Sequence, residues 1–235
     1  MLFRSYLWSD GQTTSTASNL TAGTYNVTIT DQKGCFKDTS VIVLEPDALL
    51  IASMSMDSAS CNGVADGTAT ANGITGGNGI NSFSWNTTPV QTTNPATGLA
   101  AGNYTVTVTD QKGCFTTRDT TVLEPLLLVI DTAFQDSVSC NGLFDGSASV
   151  AVSGGNGIYS YLWSDGQTTS TASNLTAGTY NVTITDQKGC FKDTSVTVLE
   201  PALVSVDTAF QDSVSCNGLF DGSAKIGRAS CRERV

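Results

Sequence analysis

Residues 160–201 read SYLWSDGQTTSTASNLTAGTYNVTITDQKGCFKDTSVTVLEP, and this stretch decides the fold. Tyr180, Val182 and Ile184 alternate with polar residues, which is the period of two of a strand with one buried face. Thr and Val, which fit a pleated surface, are frequent, and no segment shows a helical apolar stripe. Turns rich in Gly, Asn and Asp interrupt the pattern about every 8 to 12 residues, as in an antiparallel β-sandwich. The sequence therefore predicts an all-β fold.

The same stretch occurs again nearer the start of the chain, because residues 5–46 repeat 160–201 with one difference, Ile42 in place of Thr197. A diverged copy lies between the two, with its landmarks 76 to 79 residues from theirs. We therefore predict tandem Ig-like antiparallel β-sandwich repeats of about 77 residues. The expected bounds are 6–46 for a partial repeat, 47–125 and 126–201 for complete repeats, and 202–224 for the start of a further repeat.

Both ends of the chain depart from the repeat. Residues 207–224 copy 131–148 without a change, and residues 225–235 then abandon the pattern. This tail resembles a translated short-read sequencing adapter, as does MLFRS at residues 1–5. We expect both segments to be sequencing artefacts and exclude them from the fold. The alternative for the tail is a basic, cysteine-bearing patch that contacts nucleic acid or a membrane.

Acidic residues dominate the charge, with 21 acids, 11 basic residues and a net charge of −10. Such a chain repels phosphate groups, so no nucleic-acid partner is expected. No apolar run approaches the roughly 20 residues that a membrane helix needs, so no membrane insertion is expected in this fragment. The sequence contains no His, which excludes Ser-His-Asp and Cys-His catalytic arrangements. We predict that the chain is not an enzyme and binds no cofactor.

Cysteines occupy two fixed places in each repeat, in a Cys-Asn-Gly motif and in a Lys-Gly-Cys-Phe motif. They lack the paired C-x-x-C spacing of a zinc site, so they indicate one disulfide per repeat in an oxidising compartment. Four strands are predicted between Cys140 and Cys190, at 147–153, 158–163, 168–173 and 179–186. An even number of antiparallel passes returns the chain to the end where it started.

That count favours disulfides within a repeat, Cys61 with Cys114 and Cys140 with Cys190. Cys35 and Cys216 would then have partners outside the fragment. A pairing across repeats, such as Cys114 with Cys140, stays open because the spacing of 26 residues between these two motifs is constant.

The ordered motifs C-N-G-x-x-D-G-S/T-A, G-G-N-G-I-Y-S-Y-L-W-S-D-G, L-T-A-G-T-Y-N-V-T-I-T-D-Q-K-G-C and V-L-E-P resemble the SprB repeat over residues 6–224. The resemblance implies a stalk or adhesive region of a large, exported cell-surface adhesin of gliding bacteria, secreted by the type IX route. Its partners would be neighbouring repeats and an unknown surface or glycan ligand. The localisation that it implies is extracellular, at the cell surface.

Two groups of residues are candidates for a site. Asp110, Asp145 and Asp186 lie in turns near the cysteine motifs and are weak calcium candidates, because Ca²⁺ takes six to eight oxygen ligands. The dedicated D-x-D-x-D-G spacing is missing, so no metal site is predicted. Aromatic residues recur at fixed places and are expected to pack in the core rather than to form a sugar-stacking platform. They are Trp8, Trp85, Trp163, Tyr25, Tyr104 and Tyr180.

The leading functional interpretation is a structural spacer. The runner-up is a set of carbohydrate- or surface-binding repeats that act by avidity, in which weak sites in series multiply. A remote alternative is a spacer for a secreted enzyme whose catalytic domain lies outside the fragment. The Gly-Gly-Asn-Gly stretches at 76–79 and 154–157 are predicted to be hairpin turns, since they lack the Lys and helix of a phosphate-binding loop.

Overall fold

The structure is a computed structural model, and it describes residues 4–230. All the regular secondary structure in that range is β-strand, as the alternating pattern predicts. The same range contains no helix that is long and apolar enough to cross a membrane. In chain order the strands are β1 Arg4–Trp8, β2 Gly23–Asp31, β3 Phe36–Val43, β4 Leu50–Asp57, β5 Gly67–Thr75, β6 Ser82–Trp85, β7 Ala96–Leu99, β8 Gly102–Thr109, β9 Phe115–Val122, β10 Leu126–Asp136, β11 Gly146–Gly155, β12 Ser160–Trp163, β13 Thr171–Leu175, β14 Gly178–Thr185, β15 Phe191–Val198, β16 Ser205–Asp212 and β17 Ser223–Ser230.

Each complete repeat forms two three-stranded sheets. In residues 47–125 the strand orders are β4-β5-β7 and β6-β8-β9, and in residues 126–201 they are β10-β11-β13 and β12-β14-β15. The partial repeat at the start keeps one sheet, β1-β2-β3, and β16 pairs with β17. The predicted class of tandem Ig-like antiparallel β-sandwich repeats is confirmed.

The chain divides into two compact units that do not follow the repeat bounds. The first comprises the chain up to Ser55, Ala69–Ala96 and Asn103–Thr120, and the second comprises Met56–Thr68, Thr97–Gly102 and the chain from Thr121 onward. The second unit therefore contains the Cys-Asn-Gly loop of the middle repeat together with the whole of repeat 126–201.

Repeat 126–201 is traversed from one end to the other. At one end, Leu126 of β10 pairs with Gly155 of β11, and the Asn156 N–H donates to Asp186 just after β14, at 2.8 Å. At the opposite end β10 finishes at Asp136 and β15 finishes at Val198. We call the end where the chain enters the proximal end and the end where it leaves the distal end.

The middle of the repeat contains one pass that is divided between the two sheets. Strand β13 runs antiparallel to β11, with Ser149 opposite Thr171, and β12 runs antiparallel to β14, with Trp163 opposite Val182. Because β11 and β14 both finish at the proximal end, β12 and β13 both run toward the distal end. The four predicted strands are present, yet they make three passes.

Apolar residues from both sheets fill the space between them in this repeat. Trp163 is 1% exposed, and its indole N–H donates to Thr169 O at 2.8 Å, which satisfies the one polar atom of a buried Trp. The Tyr180 hydroxyl donates to Thr176 O at 3.1 Å, and this is the tyrosine corner of Ig-like sandwiches. The buried members of the core are Val138, Ala148, Val150, Trp163, Ala172, Leu175, Val182, Ile184, Val196 and Val198.

The burial of the predicted core tryptophans follows the completeness of their repeats, whereas that of the tyrosines does not. Trp85 is 1% exposed in the complete middle repeat, where its indole donates to Thr93 O at 2.9 Å. Trp8 is half-buried, because the partial repeat has one sheet and offers no second layer to cover it. Tyr25, Tyr104 and Tyr180 are half-buried in the partial and the complete repeats alike.

Candidate functional site

A disulfide joins neighbouring repeats. Cys61 in the Cys-Asn-Gly loop of repeat 47–125 is bonded to Cys190 in the Lys-Gly-Cys loop of repeat 126–201, with a Cα–Cα distance of 5.7 Å across a sequence separation of 129. Such a distance is ordinary for a disulfide. Both loops belong to the second compact unit, so the bond lies within one body of the structure.

This bond corrects the predicted pairing. Cys61 is not bonded to Cys114, and Cys140 is not bonded to Cys190; Cys114 and Cys140 are exposed thiols and are not bonded to each other either. The reason is the divided pass: with three passes between them, Cys140 lies at the distal end of its repeat and Cys190 at the proximal end. Cys35 and Cys216 are also exposed and free, and Cys231 lies outside the described residues.

The Cys-Asn-Gly loop is held at the distal end by bonds to the chain that leaves the repeat. Asn62 Nδ2 donates to Pro125 O at 3.1 Å, and the Gly63 N–H donates to a Glu124 carboxylate oxygen at 2.7 Å. Inside the loop the Ser60 N–H donates to Asp66 Oδ1 at 2.8 Å. The Val-Leu-Glu-Pro motif that ends the repeat therefore fixes the position of the loop that carries Cys61.

The Lys-Gly-Cys loop is a tight turn closed by the aspartate that precedes it. Asp186 Oδ1 accepts the N–H groups of Lys188 at 2.8 Å and Cys190 at 3.0 Å. Gly189 has a φ of +89°, a left-handed conformation that glycine adopts without steric cost. This combination fixes the direction in which Cys190 leaves the proximal end.

Asn156 links the two loops and was not identified as a junction residue from the sequence. Its Nδ2 group donates to Ser60 O of the preceding repeat at 2.8 Å and to Asp186 Oδ2 at 3.0 Å. The hairpin turns predicted at 76–79 and 154–157 are wrong: each stretch connects the two sheets of its repeat, because β5 and β6, like β11 and β12, belong to different sheets. Asn156 of the second stretch also forms a hydrogen bond across 96 positions of sequence. The signal that could have found it is the Asn kept at the same place in both Gly-Gly-Asn-Gly stretches.

An apolar groove runs beside the disulfide. It is lined by Val64 of the Cys-Asn-Gly loop, by Leu127 and Leu128 at the start of β10, and by Phe191. Leu128 is 5% exposed, whereas Phe191 remains 68% exposed. The junction thus combines a covalent bond, a polar bridge and a partly covered apolar surface.

The aspartates considered for calcium act as acceptors for loop donors. Asp110 accepts from both nitrogens of Asn78 and from the N–H groups of Lys112 and Cys114 at 2.8 to 2.9 Å. Burial alone would raise the pKa of Asp110, but the hydrogen bonds from Asn78, Cys114 and Lys112 outweigh it and lower this pKa to about 2. The carboxylate is therefore held ionised by Asn78 and by its own loop.

The other two aspartates behave in the same way. Burial would raise the pKa of Asp186, and hydrogen bonds from Asn156 and two further N–H groups lower it instead. The hydroxyl and N–H of Ser139 lower the pKa of Asp145. Among residues 4–230 there is no cluster of three or more His, Cys, Asp or Glu side chains that could hold a metal ion. All three carboxylates therefore organise the loops that carry the cysteines.

The fold and this junction define a class of protein, tandem Ig-like β-sandwich repeats with a disulfide between neighbours. Residues 132–168 match the SprB repeat family, which supports the resemblance of the ordered motifs to that repeat. SprB repeats belong to cell-surface proteins. No curated protein matches the sequence.

Three solved structures similar to the chain each contain several consecutive domains. Domains 3–5 of Drosophila OTK are 13% identical over 76% of this chain and 71% of that one, with a TM-score of 0.32. Immunoglobulin domains 1–5 of Sidekick-1 are 10% identical over 84% of this chain and 52% of that one, with a TM-score of 0.31. Domains 7, 8 and 9 of the S-layer protein SbsC are 14% identical over 76% of this chain and 69% of that one, with a TM-score of 0.28.

Proposed function

We propose that residues 6–224 form a non-catalytic structural and adhesive region, a stalk, of a large bacterial adhesin that is exported by the type IX route in gliding bacteria. The match to the SprB repeat supports the location at the cell surface. A disulfide is expected in a protein that folds in an oxidising compartment. The absence of His from the sequence supports a non-catalytic role.

The observation that carries the proposal is the position of the disulfide. A bond within a repeat would stabilise each repeat alone and leave the connecting chain to bear any tension. The bond between Cys61 and Cys190 instead bypasses the 129 positions between them, which include the connecting chain and most of both repeats. Tension applied at the two ends of the protein therefore passes through the disulfide and leaves the bypassed residues unstretched.

A single-molecule stretching experiment tests this mechanical role. The chain is tethered near its two ends and pulled with and without a reducing agent. In the oxidised chain the residues between Cys61 and Cys190 should add nothing to the measured extension. Reduction should add about 450 Å of extension, since an extended chain spans at most about 3.3–3.6 Å per residue and 129 residues are released.

Two variants give that experiment a matched control. Cys190→Ser should stretch like the reduced protein in the absence of any reducing agent. Cys114→Ser changes the same motif in the middle repeat, where the thiol is free, and should stretch like the oxidised protein. Equal extension of the oxidised and reduced chains would contradict the mechanical role.

A second candidate function has one observation in its favour. Phe36, Phe115 and Phe191 occupy the same place in three repeats and are 69%, 69% and 68% exposed. Exposed aromatic rings repeated along a chain are suited to weak binding sites that act together on a polysaccharide. Retention of the purified chain on immobilised polysaccharides, lost when all three phenylalanines become Ala, would favour binding repeats. No retention of the unchanged chain would favour the spacer.

A further inference from the structure

We infer that the unpaired repeat cysteines are halves of the same bond: each Cys-Asn-Gly cysteine is oxidised with the Lys-Gly-Cys cysteine of the repeat that follows it. The disulfides of the array then form a continuous ladder in which every inner repeat is tied to both neighbours. This inference rests on the proposed repeat array. It assigns the groove at Cys140 as a docking surface for one occupant, the proximal end of the next repeat.

The first argument is the direction of the chain through a repeat. The Cys-Asn-Gly loop lies between β10 and β11 at the distal end, and the Lys-Gly-Cys loop lies between β14 and β15 at the proximal end. A repeat cannot bring its own two loops together across three passes. The distal loop can reach a proximal loop only on the repeat that the departing chain enters.

The second argument is that the distal half of the site is already built at Cys140. Asn141 Nδ2 donates to Pro201 O at 3.2 Å, and the Gly142 N–H donates to a Glu200 carboxylate oxygen at 3.3 Å. The Ser139 N–H donates to Asp145 Oδ1 at 3.0 Å. These bonds reproduce those that hold the loop of Cys61, although Cys140 has no disulfide partner.

The proximal half of the site is likewise built at Cys114. Asp110 Oδ1 accepts the N–H groups of Lys112 and Cys114 at 2.8 and 2.9 Å, and Gly113 has a φ of +86°. The same geometry holds Cys190 in the bonded loop. The loop conformation is therefore a property of the motif and does not depend on the disulfide.

The third argument is the order of the cysteines along the chain. Among the six repeat cysteines, Cys61 and Cys190 are the one pair that combines a Cys-Asn-Gly cysteine with the Lys-Gly-Cys cysteine of the following repeat. They are also the two that are joined. The other four have no such counterpart among residues 6–224 and are free thiols.

The apolar surface next to Cys140 is one that a following repeat would cover. A groove there is lined by Cys140, Asn141 and the connecting chain Pro201–Val204. Val204 is 62% exposed, whereas Leu128, which occupies the same place after the middle repeat, is 5% exposed. Leu128 lies where a complete repeat follows, and Val204 lies where one does not. The occupant that this surface fits is a second copy of the repeat.

The bond forms by oxidation of two thiols. Each thiol loses one proton, and the pair gives two electrons to a small disulfide oxidant such as oxidised glutathione, which leaves as two thiols. Exchange proceeds through a mixed disulfide on one of the two protein cysteines. Both Cys114 and Cys140 are exposed, so a first attack can occur before the neighbouring repeat docks.

The chain itself supplies the material for a test. Residues 207–224 are identical to 131–148, so replacing 225–235 with a copy of 149–201 completes a further repeat after the full preceding chain. The added copy carries Tyr at the place of Phe191, which gives its cysteine peptide a distinct mass. Cys35→Ser and Cys216→Ser remove cysteines whose surroundings repeat those of Cys190 and Cys140. The protein is oxidised in a glutathione buffer, its free thiols are alkylated, and its peptides are mapped without reduction.

The ladder predicts two cross-links in the extended protein, Cys61 with Cys190 and Cys140 with the added cysteine, while Cys114 is alkylated. A bond between Cys140 and Cys190 would overturn the ladder, as would a Cys140 that stays free beside a bonded Cys61. In the second case the disulfide across the first junction, and with it the mechanical proposal, would still stand. Failure of the stretching experiment with both cross-links present would instead reject the mechanical role and keep the ladder.

Discussion

Replacement of Cys190 by Ser removes the disulfide and leaves its loop intact. The loop is closed by Asp186, which accepts the N–H groups of residues 188 and 190, and a Ser at position 190 keeps its N–H. The matched control is Cys114→Ser, which makes the same change in the same motif at a free and exposed thiol. The difference between the two variants therefore reports the disulfide.

The magnitude follows from the loop that the disulfide closes. A cross-link across 129 positions lowers the conformational entropy of the unfolded chain. On the chain-entropy model this raises the free energy of unfolding by about 5 kcal/mol at 25 °C. For a unit of this size, a change of 1 kcal/mol in the free energy of unfolding shifts the melting temperature by about 2–4 °C. We expect Cys190→Ser to lower the melting temperature of the unit that contains repeat 126–201 by about 10 °C or more. Cys114→Ser should leave it unchanged.

Differential scanning calorimetry under non-reducing conditions measures both variants directly. Addition of a reducing agent should bring the unchanged protein to the melting temperature of Cys190→Ser and should not alter that variant further. Equal losses in the two variants would refute the reasoning, because a bond within each repeat makes Cys114 and Cys190 equally important. A larger loss in Cys114→Ser would refute it as well.

Three further changes test other parts of the structure. Asn156→Ala should destabilise the protein by about 1–3 kcal/mol, and by more than Asn78→Ala, because it also removes the hydrogen bond to the preceding repeat; urea denaturation compares them. The stabilisation from ionised Asp110 should be complete above pH about 4 and should be lost as the pH falls toward its folded pKa of about 2; Asp110→Asn should lose that part of the pH dependence in urea melts at pH 7, 4 and 2. Trp163→Ala should lower the free energy of unfolding by about 3–5 kcal/mol. Trp8→Ala should lower it by less, because Trp8 is half-buried; thermal melts compare the two variants.

The fold could be predicted from the sequence because its signals are local. Alternation at Tyr180, Val182 and Ile184 places these side chains on one face of β14, and two of them are at most 1% exposed. The tandem organisation could be read from the copied segments without any structure. Local pattern and repeat period were therefore sufficient for the class of fold.

The disulfide pairing could not be predicted in the same way, because it depends on the direction of two short strands. Counting strands treats β12 and β13 as separate passes, whereas the register shows that they run the same way in different sheets. The contact of Asn156 across the junction could not be predicted for a related reason, since its partner Ser60 lies in another repeat. Neither relationship leaves a periodic signal in the residues concerned.

The central claim is that the disulfide crosses between repeats, and a non-reduced tryptic peptide map tests it most directly. Cys35→Ser is used because Gly34–Lys37 and Gly189–Lys192 have the same sequence, GCFK. The account predicts that the peptide 38–112, which contains Cys61, is linked to GCFK. A link from that peptide to GCFTTR, residues 113–118, would show a bond within the repeat and would contradict the account.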